Sequence, residues 1–162
     1  MKSVCFTGHR SIKGVDHHSL KIMLDNTICA LVKKGATEFY CGGALGWDTI
    51  CANMVLYLKK KKQLDINLHL VLPCRNEDQT KKWSEEDKQT FYSIMVHAET
   101  IEYVGSDYTK DCMKRRNARL VELADCCVAF YNAADARSGT GQTVRIAEAK
   151  GIEIINIYEM IK

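Results

Sequence analysis

The sequence predicts a single α/β domain over residues 1–162, a mostly parallel sheet flanked by helices in the doubly wound, Rossmann-like arrangement. Three observations predict it. Short apolar runs alternate with longer stretches of helical period from one end of the chain to the other. No repeat, linker or low-complexity tract interrupts that alternation. The glycine-rich and small polar stretches follow the strand-like runs, where such a sheet places its ligand-binding loops.

Taken in order, "SVCFT" (Ser3 to Thr7) reads as the first strand and "HSLKIMLDNTICALVKK" (His18 to Lys34) as a helix closed by Gly35. "EFYC" is the second strand, and "WDTICANMVLYLKK" a helix with Trp47, Ile50, Cys51, Met54 and Leu58 on one face. "INLHLVL" (Ile66 to Leu72) is the third strand, stopped by Pro73, the only proline. A polar helical segment runs from about Asp78 to Ala98, then "TIEYV" forms a short strand. "KDCMKRRNARLVELA" is a helix, "CCVAFY" a central strand, "TGQTVRIAEAKG" a helix ending in Gly151, and "IEIINI" the last strand.

At 162 residues the chain is long enough to bury a core without disulfides or a structural metal. Hydrophobic residues make up 46% and charged residues 27%, which excludes disordered and fibrous classes. No apolar run approaches the ~20 residues of a membrane span, and "MKSVCFTGHR" lacks a secretory signal's apolar core. A cytoplasmic protein with no membrane partner is expected. The eight cysteines include no C-x-x-C, so they read as buried, reduced thiols, and neither a metal site nor a cofactor is expected. The net charge of +3 does not by itself imply nucleic acid. "KKKK" (Lys59 to Lys62) reads as the solvated end of a helix.

The distinctive chemistry lies in the expected strand-to-helix loops. In "CGGALGWD" the glycines Gly42, Gly43 and Gly46 permit positive φ and close approach of backbone N–H groups, ahead of a helix N-terminus that favours an anion. Tight packing alone explains such a corner equally well. Asp48, in the first turn, either complements the helix dipole or accepts ribose or base hydrogen bonds. "SGTGQT" is a second glycine-rich helix entry, in which Ser138, Thr140 and Thr143 cap the helix or bind phosphate oxygens. Two such entries at one sheet edge favour a phosphate-bearing ligand.

"TGHR" sets His9 and Arg10 directly after a strand, with Arg10 offering a fork matched to phosphate or carboxylate. Asn117 falls on the buried stripe marked by Met113, Leu120 and Ala124, where an inward amide needs partners, and Arg116 borders the same stripe. Arg75 follows the third strand. Trp83 on a polar helix either stacks on a base or covers the core.

With these residues assembled, the chain resembles the SLOG superfamily, and most closely its small YpsA-like members. "TGHR", "GGALGWD", "LPCRNED" with a following Trp, "RRNARLVELAD" and "SGTGQTVRIAEAKG" match that group in order over nearly the whole chain. The same order resembles the Rossmann domain of the DNA-processing protein A family and, more distantly, the Lonely Guy phosphoribohydrolases. The resemblance implies a pocket for a nucleotide or nucleotide-derived ligand lined by Gly8, Arg10, Gly42, Gly43, Gly46, Asp48, Arg116, Asn117, Gly139, Gly141 and Thr143. It also implies a homodimer.

The phosphoribohydrolases carry paired glutamates after their Gly-Gly-x-Gly-Thr, whereas here Thr143 is followed by Val144 and Arg145. That departure removes the expected catalytic acid, and Glu148 lies more than a turn further on. The leading expectation is therefore a binding protein for a nucleotide-derived small molecule, acting as sensor, sequestering protein or regulator. The alternatives are an N-glycosidic-bond hydrolase relying on Asp48 or Glu148, and a single-stranded nucleic-acid binder. The last lacks an interleaved basic and aromatic stripe.

Overall fold

A computed structural model of the chain describes residues 1–135 and 138–162. Six strands form one all-parallel sheet: β1 (Ser3–Gly8), β2 (Glu38–Cys41), β3 (Asn67–Leu72), β4 (Thr100–Tyr103), β5 (Cys126–Phe130) and β6 (Glu153–Asn156). Their spatial order is β4-β3-β2-β1-β5-β6. The direction of progression reverses between β1 and β5, and that reversal opens a crevice between the loops leaving the two strands.

The helices are α1 (His17–Lys33), α2 (Trp47–Lys61), α3 (Asn76–Gln79), α4 (Glu85–His97), α5 (Cys112–Leu123), α6 (Gly139–Lys150) and α7 (Ile157–Ile161). Local chemistry sets several boundaries. Asp16 caps α1 by accepting the Ser19 N–H at 2.9 Å. Gly151 closes α6 in the left-handed conformation, φ +82°. Lys150 reaches across to the open end of α5, donating from Nζ to the carbonyls of Val121, Glu122 and Ala124 at 2.8, 3.0 and 2.8 Å. Those are carbonyls the helix cannot satisfy itself.

Helices cover both faces of the sheet. The larger core joins Phe6, Phe39, Leu70 and Phe130 of the strands to α1 and α2, while Cys5, Val71, Cys127 and Ala129 meet Leu120, Val121 and Ala147 of α5 and α6. Cys126 and Cys127 accordingly point into opposite cores. All eight cysteines are free thiols, seven of them buried. No described helix is long and apolar enough to cross a membrane.

Two expectations are corrected. The polar segment after β3 is not one helix: α3 ends at Gln79, and a new helix begins where Ser84 accepts the Asp87 N–H at 3.1 Å. The capping hydroxyl starts α4 with its own N-terminus. The last strand stops at Asn156, and the chain turns into α7, which buries Ile157 and partly buries Tyr158 against the core.

Candidate functional site

At the β1/β5 reversal lies a cleft of about 580 Å³. Its walls come from the β1 loop, the first turn of α2, the inner face of α5, the β5 loop and the start of α6. Gly8 carries the chain from β1 into the cleft over the buried Trp47 indole, where a side chain at residue 8 would strike the ring. His9 and Arg10 follow directly and line the cleft.

His9 ties the two loops together. Its Nε2 accepts the Asn132 N–H at 3.0 Å, and its Nδ1 lies 3.7 Å from an Asp135 carboxylate oxygen. Accepting through Nε2 requires that nitrogen to be unprotonated, so the proton sits on Nδ1. Burial lowers the His9 pKa, against the opposing pull of Asp135, and the neutral ring is favoured.

Arg116 is 6% exposed despite its charge. Its Nε donates to Asn117 Oδ1 at 2.8 Å, Nη1 donates to the Gly42 carbonyl, and Nη2 meets the Met113 sulfur at 3.6 Å. Two of a guanidinium's five N–H donors are thus committed to oxygen. Burial lowers its pKa, with Asp48 opposing and Arg10 reinforcing that shift. The reference value is so high that the group stays charged. Asp48, 7% exposed, accepts the Ala44 N–H at 3.1 Å, and burial pushes its carboxyl up against the pull of Arg116, that N–H and Arg10. Arg116 nevertheless makes no ion pair within 4.0 Å among the described residues, and neither do Arg10 and Lys13, which line the same cleft.

Ser138 is the N-cap of α6, accepting the Gly141 N–H at 3.1 Å, and Gly139 and Thr140 begin the helix at the edge of the cleft. Part of the lining is aromatic. Phe130 packs between Trp47 and Tyr158, with ring centroids 5.5 and 5.4 Å away. The cleft therefore combines three cations, the carboxylates of Asp48 and Asp135, a helix N-terminus and aromatic lining.

Of the residues singled out in the sequence, Gly8, His9, Arg10, Asp48, Arg116, Asn117, Ser138, Gly139 and Thr140 converge on this cleft. Others do not. Gly42, Gly43 and Gly46 are not among the residues that line it. A side chain at residue 42 would meet the Arg116 guanidinium, one at 43 would meet Leu72 and Phe91, and one at 46 the backbone carbonyl of Arg10. Gly43 and Gly46 hold φ of +72° and +75°, so the corner uses glycine for backbone conformation and close packing. Gly141 and Thr143 are buried within α6, where the Thr143 hydroxyl donates to the Gly139 carbonyl at 3.0 Å. Arg75 points elsewhere and pairs with Asp78 and Asp107 at 3.3 and 3.2 Å.

Trp83 lines a second hollow of about 490 Å³ that adjoins the first, Arg10 and Met113 belonging to both. Glu148 is exposed and lies in neither. Lys13, Met113 and Tyr158 also line the cleft, though nothing in the sequence pattern marked them as lining residues. Lys13 stands three residues beyond the singled-out Arg10, whereas Tyr158 arrives on the unexpected α7.

The fold and site define a doubly wound α/β protein with a cation-lined cleft at its switch point. The chain belongs to the YpsA family, described as the YspA SLOG family, whose profile matches residues 4–160. It is 23% identical over 141 residues to the UPF0398 protein BH1768 of Halalkalibacterium halodurans, covering 82% of this chain and 73% of that protein. A UPF0398 protein of Bacillus pumilus is 26% identical over 141 residues, covering 82% and 74%. The X-ray structure of TM1055, a structural genomics target, superposes with a TM-score of 0.58 at 17% identity over 95% of this chain and 72% of that one. That likeness is one of fold.

Proposed function

We propose that the protein binds a nucleotide or nucleotide-derived small molecule in the β1/β5 cleft, as a sensor, sequestering or regulatory protein. One observation carries the reading: Arg10, Lys13 and Arg116 line a single cleft, and among the described residues none of them has a carboxylate within ion-pair distance. A buried guanidinium is costly to desolvate, and an anion placed between Arg116 and Arg10 offsets both that cost and their mutual repulsion. The α6 N-terminus adds partial positive charge beside Gly139. The aromatic lining at Phe130 and Tyr158 then meets the apolar body of the ligand. A cytoplasmic location and a homodimer belong to the same proposal.

Asp48 supports a second reading, as a hydrolase of an N-glycosidic bond. It is a carboxyl inside the cleft whose pKa is pushed up, the property a general acid needs. Recovery of the bound nucleotide chemically unchanged after long incubation excludes that reading.

A thermal-shift panel of mononucleotides, dinucleotides, inorganic phosphate and single-stranded oligonucleotides tests the proposal. Binding at 100 times Kd raises stability by about 2.7 kcal/mol, so a nucleotide ligand gives a shift that phosphate alone does not match. Stabilisation by oligonucleotides only overturns it in favour of nucleic-acid binding.

A further inference from the structure

The second hollow lies directly across the Arg10–Met113 divide from the first. The Met113 sulfur sits 4.0 Å from Arg10 Nη2 and 3.6 Å from Arg116 Nη2, so the divide carries positive charge on both sides. Each hollow falls within the ~300–1,000 Å³ of small-ligand sites. Beyond the divide stand Lys81 and Lys82, the Trp83 indole and the exposed Tyr108 ring. The Trp83 ring packs edge-to-face on Phe91, centroids 5.5 Å apart, which steadies it.

Gln79 holds the wall of the hollow against the Gly43 loop. Gln79 lines this hollow and is only 7% exposed. Its Nε2 donates to the Gly43 carbonyl at 3.0 Å, which fixes the amide and turns Oε1 away from Gly43. That buried Oε1 has no hydrogen-bond partner among the described residues.

We propose that the ligand is bipartite: a dinucleotide whose phosphate bridge crosses at Arg10, with one nucleoside in the first cleft and the second base beside Trp83. The inference rests on the nucleotide reading of the first cleft and adds the class of ligand. Lys81 and Lys82 line the second hollow and add positive charge there, and aromatic stacking tolerates many bases, so the Trp83 wall adds affinity for a second base without selecting one.

The test titrates NAD, FAD and diadenosine tetraphosphate against AMP and ADP, reading affinity by calorimetry and Trp83 by fluorescence quenching. A dinucleotide is expected to bind at least about tenfold more tightly than either mononucleotide and to quench a tryptophan emission that Trp83→Leu removes, whereas mononucleotides quench wild type and Trp83→Leu alike. Trp83→Leu keeps apolar packing and is expected to remove about tenfold from dinucleotide binding alone. Tyr108→Ala, at a 59% exposed position where folding is not at risk, should reduce the same advantage. Mononucleotides binding as tightly as every dinucleotide, or variants weakening both classes equally, overturn the bipartite site while leaving the first cleft intact. Binding by neither class overturns the nucleotide reading as well.

Discussion

The Arg116 guanidinium rests on the backbone of Gly42, with Nη1 donating to the Gly42 carbonyl. A Cβ built on Gly42 would lie 2.5 Å from Nη1 and 2.8 Å from the guanidinium carbon. The glycine-rich corner thus acts on the cleft at one remove: it leaves room for the buried cation and fixes its height in the floor.

Gly42→Ala is expected to push the arginine head aside. The obstructing atoms end a flexible side chain, so the stability cost is about 1 kcal/mol, a Tm loss of about 2–4 °C for a chain of this size. Nucleotide affinity falls further, by about tenfold. Calorimetry on the folded variant checks this, and an affinity equal to wild type would show that Arg116 does not contact the ligand.

Gly46→Ala behaves differently. Its φ of +75° with ψ of −118° is open only to glycine, and the new Cβ meets backbone of Arg10 that cannot rotate away. Strain and overlap together cost about 3 kcal/mol or more, and a thermal melt should show a loss near 10 °C. A Tm within a degree or two of wild type would contradict the packing described for this corner.

His9 makes stability depend on pH with a definite sign. Its native pKa is lowered by burial, and the native bond to the Asn132 N–H requires the neutral ring. The unfolded chain therefore takes up the proton first. This contribution is intact above the ordinary histidine pKa of about 6.5 and is lost as pH falls below it towards the native value. His9→Gln, which keeps an acceptor and does not titrate, should lose less Tm than wild type between pH 7.5 and 5.5. Parallel curves would contradict the assigned tautomer.

Much of the fold was legible because the strand-like runs and the helical periods did not compete. Each strand lies within a residue or two of its expected place, and the adjacent Cys126 and Cys127 face opposite cores as alternation requires. The break between α3 and α4 was hidden because Ser84 is one more polar residue in a stretch polar but for Trp83, so the pattern does not set it apart. α7 was hidden because "IEIINI" continues apolar past the strand end. Of the site, His9, Arg10 and Asn117 were readable from their place after a strand or on a buried stripe. The role of the glycines was not, since a sequence shows where glycine stands but not that Arg116 or the Arg10 carbonyl lies against it. The second hollow escaped for the same reason: Gln79 and Gly43 are 36 residues apart, and only the paired strands β2 and β3 bring their loops together.

The most direct test of the cation-lined cleft is calorimetric titration of the best-stabilising nucleotide into wild type and Arg10→Ala. Arg10 is exposed, makes no ion pair among the described residues and has the Met113 sulfur as its side-chain contact, so its removal leaves the fold intact. The variant is expected to melt within about 1 °C of wild type and to bind the nucleotide about tenfold or more weakly. Undiminished affinity in a folded Arg10→Ala protein would contradict the placement of the phosphate site in the β1/β5 cleft.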